Sequence, residues 1–332
     1  MDKNKKVKPV DIFEETLRPR KMEQFQGQKK VKEKLDIFLQ ATKKRKEPLD
    51  HVLLYGPPGL GKTTLAHLIA SELGVNIRIT SGPAIERSGD LASILTNLKD
   101  KDVLFIDEVH RLNRTVEEAL YPAMEDYCLD IILGKGPSAR TIRLELPKFT
   151  IIAATTRIGL LSSPLRDRFG AVYRLNYYDQ DSLSKIIKRS AKILKTEIDD
   201  EACWELATRS RGTPRIANTL LKRIRDFVQI KAQGKITKQL LDEALKILEV
   251  DELGLDKIDR DFLTVLCLDH QGKPVGVETL AATLSEDEGT LLEVVEPYLM
   301  QKSLIKRTKQ GRVATPKSFK HLNIPLPKNY DN

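Results

Sequence analysis

Short unbroken apolar runs mark the first half of the chain: Val52-Leu53-Leu54-Tyr55, Val103-Leu104-Phe105-Ile106 and the segment Thr150 to Ala154. Runs of this length between polar loops predict strands buried on both faces, as in a parallel sheet covered by helices. Leu65, Ala66, Leu68 and Ile69 keep helical spacing soon after the first run. Residues 1–178 therefore read as an α/β block, a doubly wound parallel sheet. The period then changes. Between 179 and 251, Leu183, Ile186, Ile187 and Ala191 hold one helical face, and Thr213-Pro214 opens a further helix with Ile216, Leu220, Leu221 and Ile224 on its apolar side. Proline is suited to that first turn because its missing N–H would have no partner there. Residues 256–332 predict three helices, around Phe262 to Leu268, Val277 to Leu284 and Thr290 to Met300. Two short strands follow, Ile305-Lys306-Arg307 and Val313-Ala314-Thr315, with Lys309-Gln310-Gly311-Arg312 as a hairpin tip between them.

The most specific chemistry lies where the first strand gives way to helix. Gly56-Pro57-Pro58-Gly59-Leu60-Gly61-Lys62-Thr63-Thr64 is a phosphate-binding loop. Its glycines, Gly59 and Gly61 among them, let the backbone N–H groups converge, and the helix that follows adds the positive end of its dipole. Lys62 is expected on the β and γ phosphates, Thr63 on Mg²⁺, and Thr64 near the α phosphate. The second apolar run ends in Asp107 and Glu108, at the strand edge where open α/β sheets bind ligands. Asp107 is expected in the Mg²⁺ shell, through water, and Glu108 as the general base that polarises the attacking water. Thr155 and Thr156 end the third strand, with hydroxyls facing the γ phosphate. In Ser163-Pro164-Leu165-Arg166-Asp167-Arg168-Phe169-Gly170 two arginines flank an aspartate. Either they form a surface ion pair with it, of little energetic worth, or one is an arginine finger.

Composition narrows the class. The chain has 332 residues, 40% of them hydrophobic and 31% charged, and its longest apolar runs fall well short of a membrane span. Met1-Asp2-Lys3-Asn4-Lys5-Lys6 has no apolar leader segment, and the three well-separated cysteines, Cys128, Cys203 and Cys267, suit reduced thiols in the cytoplasm. The net charge of +9 favours a polyanionic partner, and it is unevenly distributed. From Asp256 to Met300 ten acids face three cations; from Gln301 to Asn332 eight cations face one acid. One part of this block repels phosphate and the next attracts it. The turn and helix with Glu286, Asp287, Glu288, Glu293 and Glu296 are thus poor ground for DNA, and the hairpin with Lys306, Arg307, Lys309 and Arg312 is better. A merely solvated basic tail is the alternative.

The words GPPGLGKTT, LFIDEVH, ATTR, SPLRDRFG and RGTPR, in this order and spacing, resemble those of AAA+ ATPases. LYPAMEDY, LRDRFG and RGTPRIAN are similar to the RuvB family, motors of Holliday junction branch migration, over nearly the whole chain. The resemblance implies an AAA+ P-loop domain, a small helical lid and a C-terminal winged helix. It implies a homo-hexamer in which Arg168 reaches the neighbour's ATP, with Leu17, Arg18 and Tyr178 enclosing the base or ribose. Arg215 takes the sensor role on the γ phosphate; local physics agrees that a cation at a helix start wants an anion, which an unseen acid could also supply. Glu125, Asp126 and Tyr127 match a segment that approaches ATP across the interface. Arg307 and Arg312 match the DNA-binding arginines, whereas Glu288 departs from a frequently basic position. A hairpin spanning Asp130 to Leu144, with Ile131, Ile132, Leu133 and Ile142 outward, would dock the partner RuvA, and RuvC would join in the resolving complex; packing of those residues into the chain's own core is the other reading. The implied function is an ATP-dependent double-stranded DNA translocase. A replication-initiator-like ATP switch with a winged helix is the alternative, and a protein-remodelling machine a third, disfavoured by the basic hairpin.

Overall fold

The computed structural model describes residues 16–133, 140–232, 234–327 and 330, except for the side chains of residues 131–133 and 140. These residues form two compact units. One takes in the chain up to Gly56 and Leu60–Asn176; the other takes in Pro57–Gly59 and everything from Tyr177 on.

The first unit contains α1 (Lys29–Arg45), β1 (Val52–Tyr55), α2 (Lys62–Leu73), β2 (Ile77–Ser81), α3 (Ser88–Leu95), β3 (Val103–Asp107), α4 (Arg114–Glu125), β4 (Cys128–Leu133), β5 (Arg140–Glu145), β6 (Thr150–Thr155), α5 (Ser163–Asp167) and β7 (Ala171–Arg174). The expected parallel sheet has the order β2-β3-β6-β1-β7. Every pairing in it is parallel. The three apolar runs occupy its centre and are buried along their length but for the half-buried Tyr55. Around Leu53, Leu104, Ile106, Leu120, Phe149 and Ile151 they share one core, and each large side chain fully buried there contributes about 1.5–3 kcal/mol before the entropy of ordering is subtracted. Polar caps set the helix starts: Asn113 accepts from the Val116 amide at 3.0 Å, and Ser162 from that of Leu165 at 3.2 Å. The strand β6 runs one residue further than its apolar pattern, because Thr155 pairs in register with Tyr55. Strands β4 and β5 form a separate antiparallel pair.

In the second unit, α6 (Gln180–Ile193), α7 (Asp200–Arg209), α8 (Pro214–Lys231) and α9 (Lys238–Ile247) form the expected helical block. Asp179 and Asp199 cap the first two through the Ser182 and Ala202 amides. Next come α10 (Lys257–Thr264), α11 (Val277–Leu284), α12 (Glu288–Thr290), α13 (Glu296–Gln301), β8 (Ile305–Thr308), β9 (Gly311–Ala314) and α14 (Pro316–His321). This is the winged-helix pattern, built on a core that includes Phe262, Leu266, Leu280, Leu291, Leu299 and Phe319. The third helix differs from its expected form. It starts at Glu288 and crosses a π-helical turn, Leu291–Val295, before α13. Pro297 has no N–H to continue an α ladder, which accounts for the irregularity. The hairpin is also shifted. Gly311 and Arg312 belong to β9, not to the tip, because they pair with Thr308 and Arg307, and Val275 bridges to Arg312 from the other side. Gly311 has a φ of 142°, and a Cβ there would overlap the Val275 carbonyl, so glycine is required.

Candidate functional site

Parallel pairing fixes the order of the chemistry on one sheet edge. The phosphate-binding loop follows β1, Thr155 and Thr156 end β6 beside it, and Asp107 and Glu108 end β3 one strand further. Neighbouring strands are about 4.8 Å apart, so these three ends span about 10 Å, the scale of a triphosphate. Gly61 caps α2 in the left-handed conformation at φ 95°. Lys62 is buried, and its Nζ donates to the Gly56 carbonyl at 2.8 Å, curled over the loop it serves. Thr63 and Thr64 stand half-buried on the first turn of α2.

Asp107 accepts a hydrogen bond from the Glu108 amide at 2.9 Å. Glu108 itself has φ 49°, and its carboxylate is 3.1 Å from Arg111. Left-handed backbone at a glutamate is strained and needs support from outside. Gly82 at the end of β2 gives it, since a Cβ there would overlap the Glu108 carbonyl oxygen. Thr155 is buried and lies 2.9 Å from His110 Nδ1, while its Oγ1 accepts from the Arg157 amide at 3.0 Å. Thr156 follows at the edge, half-buried.

Arg168 caps α5 and pairs with Glu125 at 3.2 Å, not with Asp167. It also donates to the Pro164 carbonyl at 2.7 Å and lies 4.2 Å over the Tyr121 ring. Tyr121 in turn donates to Glu117 at 2.6 Å, and Ser162 donates to the same carboxylate. Two predicted residues are thereby brought together, Arg168 and Glu125, and three that the sequence reading missed, Glu117, Tyr121 and Ser162, hold them. Their signal was weak because a helical Glu-x-x-x-Tyr step is common. Asp126 is exposed; Tyr127 turns inward, edge-on to Phe149 at 5.7 Å, so its ring is part of the core. Leu17 is buried and Arg18 half-buried at the start of the described chain.

Within the second unit, Arg215 lies in the first turn of α8, and its amide faces the Gly59 carbonyl at 3.4 Å. Tyr178 is buried and its amide donates to Gly212 at 2.8 Å.

In the β4–β5 pair, Ile131 is opposite Ile142, with Ile142 43% exposed and Leu129 buried at the base. Residues 134–139 of the expected hairpin, and the side chains of Ile131, Ile132 and Leu133, lie outside the described residues. On the winged helix, Arg307 and Arg312 face each other across the strands. Arg307 is exposed. Arg312 is not, which departs from the expectation of a solvent-facing phosphate contact. It is 7% exposed and gives both arms of its guanidinium to Glu296, at 2.5 and 3.2 Å. Glu296, expected on the repelling face, is 2% exposed and also lies 4.0 Å from Arg307. Two like charges opposite each other on a hairpin repel, and the buried acid between them removes the conflict. Lys306, Arg307, Lys309 and Gln310 form the exposed rim.

Three family models match consecutive parts of the chain: the Holliday junction DNA helicase RuvB P-loop domain over residues 17–175, the RuvB AAA lid domain over 178–251 and the RuvB C-terminal winged helix domain over 252–323. The Holliday junction branch migration complex subunit RuvB of Dehalococcoides mccartyi is 58% identical over 317 residues, covering 96% of this chain and 91% of that protein. The solved Thermotoga maritima RuvB Holliday junction branch migration motor is 48% identical, with a TM-score of 0.86 over 94% of this chain and all of that one. A point variant of the T. maritima protein gives 0.88 at the same identity, over 94% of this chain and 99% of its own. Phosphate loop, acid pair, lid and wing thus occur together in one architecture, and the chain belongs to the RuvB family of AAA+ ATPases.

Proposed function

We infer that this chain is an ATP-driven motor of Holliday junction branch migration. The observation that carries the reading is the edge where the phosphate loop, Thr155–Thr156 and Asp107–Glu108 end three neighbouring parallel strands. Loop amides and the α2 dipole bind the triphosphate, and Lys62 moves from the Gly56 carbonyl to its β and γ oxygens. Glu108, held out by its left-handed backbone and by Gly82, takes a proton from the attacking water. Thr156 orients the γ phosphate. Arg168 supplies positive charge to the transition state of a neighbouring subunit, and Arg215 contacts the γ phosphate from the lid. The residues fit a metal that arrives with the nucleotide: Thr63 and Asp107 are hard oxygen donors, and among the described residues no group of three His, Cys, Asp or Glu is placed to hold an ion alone. When bound, Mg²⁺ would neutralise charge on the β and γ phosphates.

The ring is a homo-hexamer in this reading, as the resemblance to the family implies, and Arg168 serves a site other than its own. Duplex DNA contacts the rim of the wing through Arg307, by phosphate alone, as suits a motor that must pass any sequence. RuvA docks on the β4–β5 hairpin, and RuvC joins in the resolving complex. Three buried thiols suit a reducing compartment, and we place the work in the cytoplasm; among the described residues no helix is long and apolar enough to cross a membrane. The test is a labelled four-way junction resolved on a native gel, with ATP hydrolysis followed in the same tube, with and without RuvA. Junction-stimulated turnover and dissociation into two duplexes are expected. Turnover that ceases after one cycle of assembly would favour the ATP switch instead.

A further inference from the structure

Arg211 opens the Arg211-Gly212-Thr213-Pro214-Arg215 turn that leads into α8, yet its side chain points away from that helix's business. The backbone is left-handed, with φ 54° at Arg211 and 66° at Gly212, a conformation an arginine rarely adopts. The side chain is 7% exposed. Its Nε donates to the Gly254 carbonyl at 2.6 Å, a terminal nitrogen lies 3.0 Å from Asp256, and that nitrogen also pairs closely with Asp259. The guanidinium stands 5.3 Å from the Tyr298 ring centre. Asp259, in the first turn of α10, is fully buried. Burial pushes its carboxyl up from the ordinary range and Arg211 opposes that shift. Tyr298 donates to the Leu253 carbonyl at 2.6 Å, and His321 lies 2.8 Å from Asp251. On the other side of the same turn, Gly212 accepts from Tyr178 and Gly59 faces the Arg215 amide.

A buried ion pair is a poor means of stabilising a fold, since apolar residues of similar volume often do as well or better. What it supplies is direction, because a planar guanidinium bonds only in a fixed fork. Resting on the reading that Arg215 senses nucleotide and that the winged helix holds DNA, we propose that Arg211 is a positioning residue that pins the lid to the winged helix. A movement at Arg215 then turns α10 and the wing with it, where an unpinned Asp251–Leu255 connection would absorb the movement.

The test replaces direction with bulk in the full-length chain: Arg211→Met with Asp259→Leu, beside Arg211→Lys alone. Basal hydrolysis and duplex affinity should stay within about twofold, while junctions dissociated per ATP fall about tenfold in the double variant and less in Arg211→Lys, the range expected of a coupling term. A folded double variant with the parent's junctions per ATP overturns the proposal. So does selective loss of basal hydrolysis, which would place Arg211 at the nucleotide. Should the double variant not fold, Arg211→Lys decides: lower coupling at unchanged affinity supports the pin, and unchanged coupling removes it. A parent chain that hydrolyses ATP but moves no junction overturns the functional reading itself, and the parent's own lane shows which has failed.

Discussion

Arg168 at the end of α5 and Glu125 at the end of α4 form an ion pair at 3.2 Å. Two of the guanidinium's nitrogens are engaged, by Pro164 and Glu125, but its Nε is buried with no hydrogen-bond partner among the described residues. Under the proposed role in a neighbour's site, the Pro164 and Glu125 contacts hold the guanidinium ready at the end of α5.

Arg168→Ala should therefore lower hydrolysis by about 10³-fold or more while sparing ATP affinity. Glu125→Gln, which keeps the shape and removes only the holding charge, should do less. Mixed rings of Arg168→Ala and Lys62→Ala subunits should recover some turnover, because some sites then combine an intact loop with an intact finger. Steady-state hydrolysis against mixing ratio measures it; verified mixed rings with no recovery would return Arg168 to a role within its own subunit.

Glu108→Gln should leave ATP bound and unhydrolysed. Gly82→Ala tests the same assignment from a distance, because the added methyl must push the Glu108 carbonyl. Its Kd for ATP should match the parent's and its kcat should fall, by about 10²-fold if the general base moves by about 1 Å. Equal kcat in both variants and the parent would exclude Glu108 as the base.

Local signals made the first unit and its phosphate-binding loop legible. A glycine-rich turn between an apolar strand and a helix has few other uses, and Asp107-Glu108 ends a strand whose burial is written in four consecutive apolar residues. Pairings between residues distant in sequence were not legible. Nothing near Arg312 announces that Glu296 lies beneath it, so a buried cation read as a surface one, and its neighbour Arg307, in the same hairpin, read alike although it is exposed. What separates them comes from outside the hairpin: Val275 bridges to Arg312, and Glu296 takes its guanidinium. Arg211 was missed for the same reason: its partners, Asp256 and Asp259, lie more than forty positions on and look like ordinary helix caps, which by their backbone hydrogen bonds they also are.

On the β4–β5 hairpin, Ile142→Ser should leave the melting temperature within a degree or two of the parent's, as for surface substitutions worth under about 0.5 kcal/mol, because the side chain already meets solvent. RuvA binding should weaken. Pull-down or titration with RuvA, beside a thermal melt, separates the outcomes, and a large drop in melting temperature without loss of RuvA would assign Ile142 to packing.

The wing offers the sharpest contrast, because two arginines opposite each other in register should behave differently. Arg307 is exposed and 4.0 Å from Glu296, so Arg307→Ala should weaken duplex binding about equally for all sequences and reduce the slope of log K against log salt by about 0.9, the value of one phosphate contact. Its melting temperature should hold. Arg312→Ala strands the buried Glu296 carboxylate, a change of the kind that costs about 3–5 kcal/mol, so the winged helix should melt early and any loss of DNA binding should follow from that. Arg312→Met with Glu296→Leu removes both charges and should restore the melting temperature. If the restored protein binds duplex with the parent's salt slope, Arg312 serves the wing's shape alone. If the slope stays reduced by one contact in a fully folded double variant, Arg312 reaches phosphate as well, by leaving Glu296 when DNA arrives.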